Sequence, residues 1–454
     1  MSLKLLKPAI VIYRHAPAEQ DLSEELHSLV FSCGYRPIKT FKQIRPPSAK
    51  YNLGRGKIFE IKDELETLDE EIKTKMVIIF GNELTPTQKY NLEVEFGFEV
   101  IDKTYLILEI FEQRASSEEA KLQVSLARSK YSLAFLKADL LHKIGQRFGT
   151  ERRGFRQLGE SRLMIFETNY KRQEARIEQQ IKKLEKTRNE QRKQQIRDIG
   201  VTHYTVSLVG YTSSGKSTLL NTIAGSQVPT SNQLFTTLST TTRRVFFENT
   251  LFLVSDTVGF LDGLPTSLIE AFRSTLEASV QAHILVIVLD VSNPLSEIFR
   301  KLEVVLYTLD DIKATNRRVL ALNKSDLVSR EKIEKVTNEL RIHFPNTFDE
   351  IFSISALKGN VKPLEAVLLG FLPKWKYKVC FSLYDPNYAK WRSFIYNTYH
   401  VEQEIQSSDG ESSTIIFTAR ILINPELKCL ENLKLVETIS TDLSPMIIQE
   451  SLES

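Results

Sequence analysis

Cysteine is scarce in this sequence, which has only Cys33, Cys380 and Cys429 among 454 residues. The three lie far apart without the spacing of a metal site, and an odd number does not suit a disulfide framework. The seven histidines are not spaced as a catalytic triad or a metal cluster, so we interpret each as structural. These absences argue against a disulfide scaffold and predict a reducing compartment.

The sequence also has no long apolar run, and we expect no cleavable leader. The longest apolar runs, such as Ile284 to Leu289, fall far short of the roughly 20 residues that a membrane span needs. The apolar run from Pro8 to Tyr13 is not followed by a cleavage-site pattern. We therefore expect a soluble protein of the cytoplasm with no membrane partner.

The net charge of the whole chain is small, at +3 from 60 Lys and Arg against 57 Asp and Glu. Any contact with nucleic acid must therefore come from local clustering. Residues 145–200 contain 15 Lys and Arg against 8 Asp and Glu, a larger excess than that of the whole chain. Such a run fits a solvated helix face or a contact with a phosphate backbone. Because the excess is confined to one segment and its loop, we favour RNA, with the candidate contacts Arg147, Arg152, Arg153 and Arg156.

Changes in pattern along the chain predict an α/β protein of four segments, since 454 residues are too many for one core. Residues 1–115 alternate strands such as "AIVIYRH" with amphipathic helices, which predicts an N-terminal α/β domain. Residues 116–200 predict an antiparallel coiled-coil arm of two helices with a basic loop. Residues 201–373 alternate strand and helix as in a parallel sheet, and residues 374–454 predict a small α+β domain.

Individual elements can be predicted within these segments. In the arm, leucines at helical spacing and a second stripe from Ile177 to Leu184 predict a thin apolar seam. The third segment contains six predicted strands, "HYTVSLVG", "TTRRVFFE", "TLFLVSD", "HILVIVLD", "RRVLALN" and "IFSIS". The C-terminal segment contains two, "YKVCFSLY" and "STIIFTARILI", around one helix. Residues Gly54 to Lys57 predict a tight turn.

A phosphate-binding loop is predicted by the stretch "SLVGYTSSGKSTLLN", between an apolar strand and a helix. Its glycines allow backbone N–H groups to turn towards the phosphates of a nucleotide. Lys216 can reach the β- and γ-phosphate oxygens, and Ser217 is placed to ligate Mg²⁺. The candidate nucleotide-binding residues of this loop are Gly210, Tyr211, Thr212, Ser213, Ser214, Gly215, Lys216, Ser217 and Thr218.

The stretch "LALNKSDLV" predicts which base is bound. Asn323 can hydrogen-bond the purine, Lys324 can stack on it, and Asp326 can accept from the N1–H and 2-amino groups of guanine. Adenine lacks that donor pair, and such a site discriminates by roughly 10⁴ or more, so the predicted nucleotide is GTP. The residues expected near the guanine carbonyl are Ser355, Ala356 and Leu357.

The stretch "VSDTVGFL" follows the phosphate loop by some forty residues. Asp256 is placed to hold Mg²⁺ through water, and the Gly259 N–H to contact the γ-phosphate. The candidate residues here are Asp256, Thr257, Val258 and Gly259. Phe260 stands where many small GTPases have a water-orienting glutamine, so we expect slow hydrolysis unless a partner supplies a group.

A threonine-rich segment lies before that stretch, where a second Mg²⁺-ligating hydroxyl is expected. Several threonines compete for this role, and the candidate nucleotide-binding residues are Phe235, Thr236, Thr237, Leu238 and Ser239.

The order of these motifs resembles the HflX family of translational GTPases over nearly the whole chain. Beside the GTPase motifs, the resemblance rests on "LGRGK", "NELTPTQKYNLE", "VIDKTYLILEIFEQRA", "KLQVSLA" and "LFTTLSTTTRR". It implies a P-loop GTPase domain in which Thr237 is the second Mg²⁺ ligand. It also implies a partner in the large ribosomal subunit and a role in translation, ribosome splitting and recycling, or ribosome biogenesis. The arm loop keeps Gly159 and Glu160 of the family's Gly-Pro-Gly-Glu segment without its proline.

Two functions remain open from the sequence. The first is a slow GTPase switch, monomeric off the ribosome, that binds GTP or GDP, docks on ribosomal RNA through its arm and is stimulated there. The second is a GTP-gated protein-interaction module that does not act on the ribosome, with a small ligand or second nucleotide in the N-terminal domain. Salt dependence separates them, because RNA docking weakens steeply with salt and an apolar contact does not.

Overall fold

The structure is a computed structural model. It describes residues 6–17, 21–115, 117–147, 164–165, 167–184, 186–187, 190, 203–225, 241–248, 250–257, 259–260, 280, 282–372, 374–384, 386, 388–398, 400–407, 411–419 and 433–439. Two compact units can be separated, of which the first contains the chain up to residue 188 and the second the central and C-terminal sheets. Within the described residues, no helix combines the length and apolarity needed to cross a membrane.

The first unit contains a parallel sheet of four strands in the order β2-β1-β3-β4. The inner strands β1 and β3 are nearly continuous apolar runs because helices cover both faces of a parallel sheet. The elements are β1 Lys7–His15, α1 Ser23–Ser32, β2 Tyr35–Ile44, α2 Arg55–Thr67, α3 Glu70–Lys73, β3 Val77–Phe80, α4 Pro86–Phe96, β4 Val100–Asp102, α5 Lys103–Arg114, α6 Glu118–Arg147 and α7 at residues 167–184. The predicted α/β pattern is confirmed.

Two details of this unit differ from the sequence prediction. The tight turn predicted at Gly54 to Lys57 is wrong, because Gly54 is the extended N-cap residue of α2 and the helix begins at Arg55. Strand β2 was not predicted, since its residues are mostly polar and only Tyr35 and Phe41 are buried.

Helices α6 and α7 form the arm. The Ser117 hydroxyl accepts from the Ala120 N–H at 3.1 Å and caps α6. A small apolar seam joins the two helices, with Leu122 packed against the buried residues Leu126, Ile177 and Ile181. Two ion pairs run beside the seam, Lys130 with Glu178 at 3.8 Å and Lys137 with Glu167 at 2.7 Å. Near the middle of α6, the Tyr131 hydroxyl donates to the buried Asp102 at 2.8 Å.

The second unit contains a six-stranded sheet in the order β10-β9-β8-β5-β7-β6, parallel except for β6. All six strands predicted in this segment are present. The elements are β5 His203–Val209, α8 Lys216–Ile223, β6 Thr241–Phe247, β7 Thr250–Asp256, β8 Ile284–Asp290, α9 Leu295–Asp311, β9 Arg317–Asn323, a 3₁₀ turn Ser325–Leu327, α10 Arg330–His343, β10 Glu350–Ser353 and α11 Lys362–Gly370. Parallel strands end at the same edge, so β5, β8 and β9 bring their following loops together.

A smaller antiparallel sheet follows, in the order β12-β13-β11-β14. Its elements are β11 Lys374–Ser382, α12 Tyr388–Thr398, β12 His400–Gln406, β13 Ser412–Ala419 and β14 Leu433–Ile439. The α+β character was predicted, but only β11 and β13 were recognised as strands. The four domain boundaries drawn from the sequence stay predictions.

Candidate functional site

The phosphate loop leaves β5 and enters α8, and two of its positions require glycine. Gly210 has φ +153°, and a Cβ there would lie 2.4 Å from the Val288 carbonyl oxygen. Gly215 has φ +96° and is the N-cap of α8; a Cβ there would lie 2.2 Å from Asn323 Nδ2. Any larger residue would push the loop away from β8 and β9, so the sequence spacing follows from close packing.

Lys216 is buried beneath this loop. Its Nζ donates to the carbonyl oxygens of Gly210 at 3.0 Å and Tyr211 at 2.9 Å. Burial lowers the pKa of Lys216 to about 8, while the nearby charge of Asp256 acts in the opposite direction. The ammonium group is thus held at the loop by carbonyl oxygens, which are weaker partners than phosphate oxygens.

Ser217 and Asp256 lie side by side and have oxygen atoms of the kind that Mg²⁺ prefers. The Ser217 hydroxyl donates to Asp256 Oδ2 at 2.6 Å. No group of three or more His, Cys, Asp or Glu side chains in the described residues could hold a metal. Mg²⁺ bound to a nucleotide takes only one or two protein oxygens and otherwise uses phosphates and water, so the residues present fit this ion.

Residues 323–326, which were predicted to bind guanine, form what we call the guanine loop, and Asn323 ties it to the phosphate loop. Its Nδ2 donates to the Ser214 carbonyl at 2.8 Å, and its Oδ1 accepts from the Ala356 N–H at 3.0 Å. Three loops therefore meet at one buried amide. Asp326 accepts a hydrogen bond from the Ser355 hydroxyl, so the carboxylate expected to bind guanine is already oriented.

The remaining predicted site residues differ in their exposure to solvent. Tyr211 is buried beneath Arg300 and Lys301, whose charged groups lie 5.6 and 5.3 Å from its ring centre. In the phosphate loop, Thr212 and Ser214 are buried, and Thr257, directly after Asp256, is buried as well. Ser213 and Leu357 are exposed. Thr218 is intermediate in exposure. The chain continues from Thr257 to Gly259, the residue predicted to contact the γ-phosphate, and to the buried Phe260.

Some predicted residues lie outside the described part of the chain. They are Phe235, Thr236, Thr237, Leu238, Ser239, Val258, Arg152, Arg153 and Arg156. Arg147 is the last residue of α6, and only its backbone is described. The sequence prediction also missed Asp290, which forms an ion pair with Lys324 at 2.6 Å. An acidic residue at the end of the apolar run "HILVIVLD" was the available signal.

Comparison with known proteins gives consistent matches along the chain. Family profiles described as "GTP-binding GTPase N-terminal", "GTP-binding GTPase Middle Region" and "50S ribosome-binding GTPase" match residues 20–112, 114–195 and 205–324. A GTPase HflX of Thermococcus kodakarensis is 39% identical over 360 residues, covering 78% of this chain and 79% of the relative. A GTPase HflX of Thermofilum pendens is 32% identical over 422 residues, covering 92% and 96%.

A crystal structure of a GTP-binding protein from Sulfolobus solfataricus in complex with GDP also aligns. It is 25% identical, covers 80% of this chain and 98% of the other, and has a TM-score of 0.42.

The fold and the site together define a P-loop GTPase, in which the phosphate loop, the buried Lys216 and the guanine loop meet at one edge of the sheet. The extent and identity of the matches place the protein more narrowly. The chain belongs to the HflX family of GTPases.

Proposed function

We propose that this GTPase binds GTP with Mg²⁺ at the residues described above and associates with the large ribosomal subunit through its arm. The profile described as "50S ribosome-binding GTPase" over residues 205–324 supports this partner. Ser217 and Thr237 would ligate the Mg²⁺, Asp256 would hold it through water, and Asn323 and Asp326 would recognise guanine. A protein with this partner acts in the cytoplasm, and we expect it to be a monomer when it is not bound to the ribosome.

A basic face on α7 is the observation that favours RNA as the contact. Among the described residues of α7 and of the helical positions 186–187 after it, six cations are exposed: Lys171, Arg172, Arg176, Lys182, Lys183 and Lys186. At 3.6 residues per turn they fall on one side of the helix, and the buried Ile177 and Ile181 fall on the opposite side. We call these six residues the basic face of α7. With a rise of 1.5 Å per residue it is about 22 Å long, which spans several phosphates of an RNA strand.

Within α7 itself, at residues 167–184, the acidic residues Glu167, Glu174 and Glu178 fall between this face and the seam. Glu167 and Glu178 lie at the flank of the seam and pair with Lys137 and Lys130 of α6. A helix whose exposed side only faces solvent would have positive and negative side chains mixed on that side, because ion pairs within the helix stabilise it. Segregation of the cations instead suits a partner that is itself anionic.

Hydrolysis by the isolated protein should be slow, because Phe260 stands at the position of a water-orienting group and cannot hydrogen-bond water. The ribosome-bound state is where we expect that group to be completed. This places GTP hydrolysis under the control of docking and fits a role in translation, ribosome splitting and recycling, or ribosome biogenesis.

The first test is GTP turnover by the purified protein with and without large ribosomal subunits, at low and moderate salt. We expect strong stimulation that fades with salt, since each phosphate contact adds to the salt dependence of binding. Absence of stimulation, with GDP binding intact, would contradict the proposal and favour the GTP-gated protein-interaction module.

The second test reverses two charges on the basic face with the double substitution Lys182→Glu and Lys183→Glu. Subunit binding should weaken, and the slope of log affinity against log salt should fall by about two or more. The matched control is Lys50→Glu with Lys75→Glu, which makes the same change in charge at exposed positions of the first unit outside the arm. Equal losses in both variants would show that only net charge matters.

A further inference from the structure

Asp290 lies at the end of β8, directly beside Asn323 at the end of β9. The two residues are paired across the parallel strands. The Val291 N–H then donates to the Asn323 carbonyl at 3.0 Å, which joins the loop after β8 to the guanine loop. The Asp290 carboxylate therefore sits next to the loop proposed to hold the base, although no sequence motif includes it.

The carboxylate of Asp290 is held from two sides. Its Oδ2 accepts from Lys324 Nζ at 2.6 Å, and its Oδ1 accepts from the N–H of Ser292 at 2.9 Å and from the Ser292 hydroxyl. Only 14% of the Asp290 side chain is exposed. Burial alone would raise the pKa of Asp290, but the hydrogen bonds from Lys324 and Ser292 outweigh it and lower the pKa. The group is therefore ionised at neutral pH.

A further cation fixes the same loop. Lys332 of α10 donates from its Nζ to the Ser292 carbonyl at 2.8 Å. Ser292 is thus held between Asp290 and Lys332, so the carboxylate cannot swing away from Lys324 without breaking several hydrogen bonds. Lys324 itself has φ +62°, an uncommon conformation for a residue other than glycine, which turns its side chain out of the strand direction.

We propose that Asp290 is a positioning residue for guanine, which acts by fixing the Lys324 ammonium group so that the lysine methylene chain is set in place beside the base. This rests on the proposed role of Lys324 in guanine binding. A free lysine has many rotamers, and immobilising it during binding costs affinity. The ion pair with Asp290 immobilises the Lys324 side chain before the nucleotide binds. Because it acts at the base and not at the γ-phosphate, it affects nucleotide affinity and not the chemical step.

The primary test is Asp290→Asn, which keeps the shape of the side chain and removes its charge. GDP affinity measured by calorimetry should fall roughly three- to tenfold, and kcat at saturating GTP should stay unchanged. The matched control is Asp310→Asn, because Asp310 pairs with Arg318 at 2.8 Å in the same sheet domain but is two-thirds exposed. The control should leave both quantities unchanged.

A double-mutant cycle distinguishes positioning from a general structural role. Lys324→Met keeps the methylene stem and removes the ammonium group. If Asp290 acts through Lys324, then Asp290→Asn in the Lys324→Met background should change GDP affinity less than about twofold. Additive losses, or an unchanged affinity in Asp290→Asn alone, would overturn the proposal for Asp290.

The same measurements separate this proposal from the guanine assignment beneath it. If Lys324→Met alone leaves GDP affinity unchanged, the role of Lys324 at the base is wrong. If Lys324→Met weakens binding and Asp290→Asn does not, only the role of Asp290 is wrong. Should Asp290→Asn fail to fold, Asp290→Glu serves instead, since it keeps the charge and should give a smaller loss that disappears in the Lys324→Met background.

Discussion

The side chain of Asn323 shows how one residue can serve both folding and recognition. It is buried and bridges the Ser214 carbonyl and the Ala356 N–H. Truncation would leave two backbone groups without these partners, at roughly 1–3 kcal/mol each. We predict that Asn323→Ala lowers the melting temperature of the nucleotide-free protein by several degrees and also prevents GDP binding.

Asp326→Ala is the control for Asn323→Ala. Asp326 is exposed and accepts a hydrogen bond from the Ser355 hydroxyl, so its loss should prevent GDP binding with little change in melting temperature. Thermal melting without nucleotide and calorimetry with GDP measure the two effects separately. An unchanged melting temperature in Asn323→Ala would contradict its structural role.

Ser213 is the exposed residue of the phosphate loop whose backbone lies in the left-handed region, with φ +60°. A residue with a Cβ is strained there and glycine is not. We predict that Ser213→Gly stabilises the nucleotide-free protein by roughly 0.5–1 kcal/mol, which raises the melting temperature by about 2 °C. The neighbouring control Ser214→Gly should lower it, because Ser214 is buried and its φ is not positive. Shifts of the same sign would contradict the strain argument.

Among individual residues, the sequence predicted the site residues that lie close together along the chain. Gly210 to Ser217 lie in one loop, and Asn323 to Asp326 in another. Asp290 could not be predicted in the same way, because its importance comes from the register of β8 against β9. The φ of Ser213 is also a property of the closed loop and not of its residue type.

Among secondary-structure elements, the strands that the sequence prediction missed are all sheet edges. They are β2 in the first unit and β12 and β14 in the C-terminal sheet. Edge strands often include charged residues that prevent pairing with other chains, so their apolar pattern is weak. The inner strands β1, β5 and β8 are apolar along most of their length and were predicted. The edge strands β6 and β10 of the second unit were nevertheless predicted, so an edge position weakens the apolar pattern of a strand without removing it.

Helix α12 is attached to edge strand β12 by one carboxylate. Glu404 accepts from Arg392 at 2.8 Å, from the Tyr388 hydroxyl at 2.9 Å and from the Tyr396 hydroxyl at 2.7 Å. The hydrogen bond from Arg392 is the main cause that lowers the pKa of Glu404 to about 2. Because this pKa lies below the usual value of 4.5, the interaction stabilises the fold above about pH 4.5 and is lost as the pH falls towards 2.

We predict that Glu404→Gln destabilises the C-terminal sheet at neutral pH and flattens its stability between pH 4.5 and 2. Both tryptophans of the chain, Trp375 and Trp391, lie in β11 and α12, so tryptophan fluorescence reports this domain. Urea unfolding followed by fluorescence at several pH values measures the effect. Parallel pH profiles for the variant and the unaltered protein would contradict it.

For the whole molecule, the sequence predicted the kinds of domain and their order along the chain. The order could be predicted because the apolar residues repeat with a different period in each segment, a helical period in the arm and a strand period in the sheets. Exact boundaries depend on which residues pack against which core, and spacing alone does not contain that information.

The basic face of α7 also has a consequence for the rate of encounter. Residues 145–200 have an excess of seven positive charges in a chain of net charge +3, so the remainder is net negative and the charge is polarised. The field of a large polyanion should orient such a molecule before contact and bring it in with the arm leading. We predict that the association rate constant with ribosomal subunits falls steeply with ionic strength while the dissociation rate constant changes little. Stopped-flow measurements would show this directly, and the Lys182→Glu, Lys183→Glu variant should arrive more slowly.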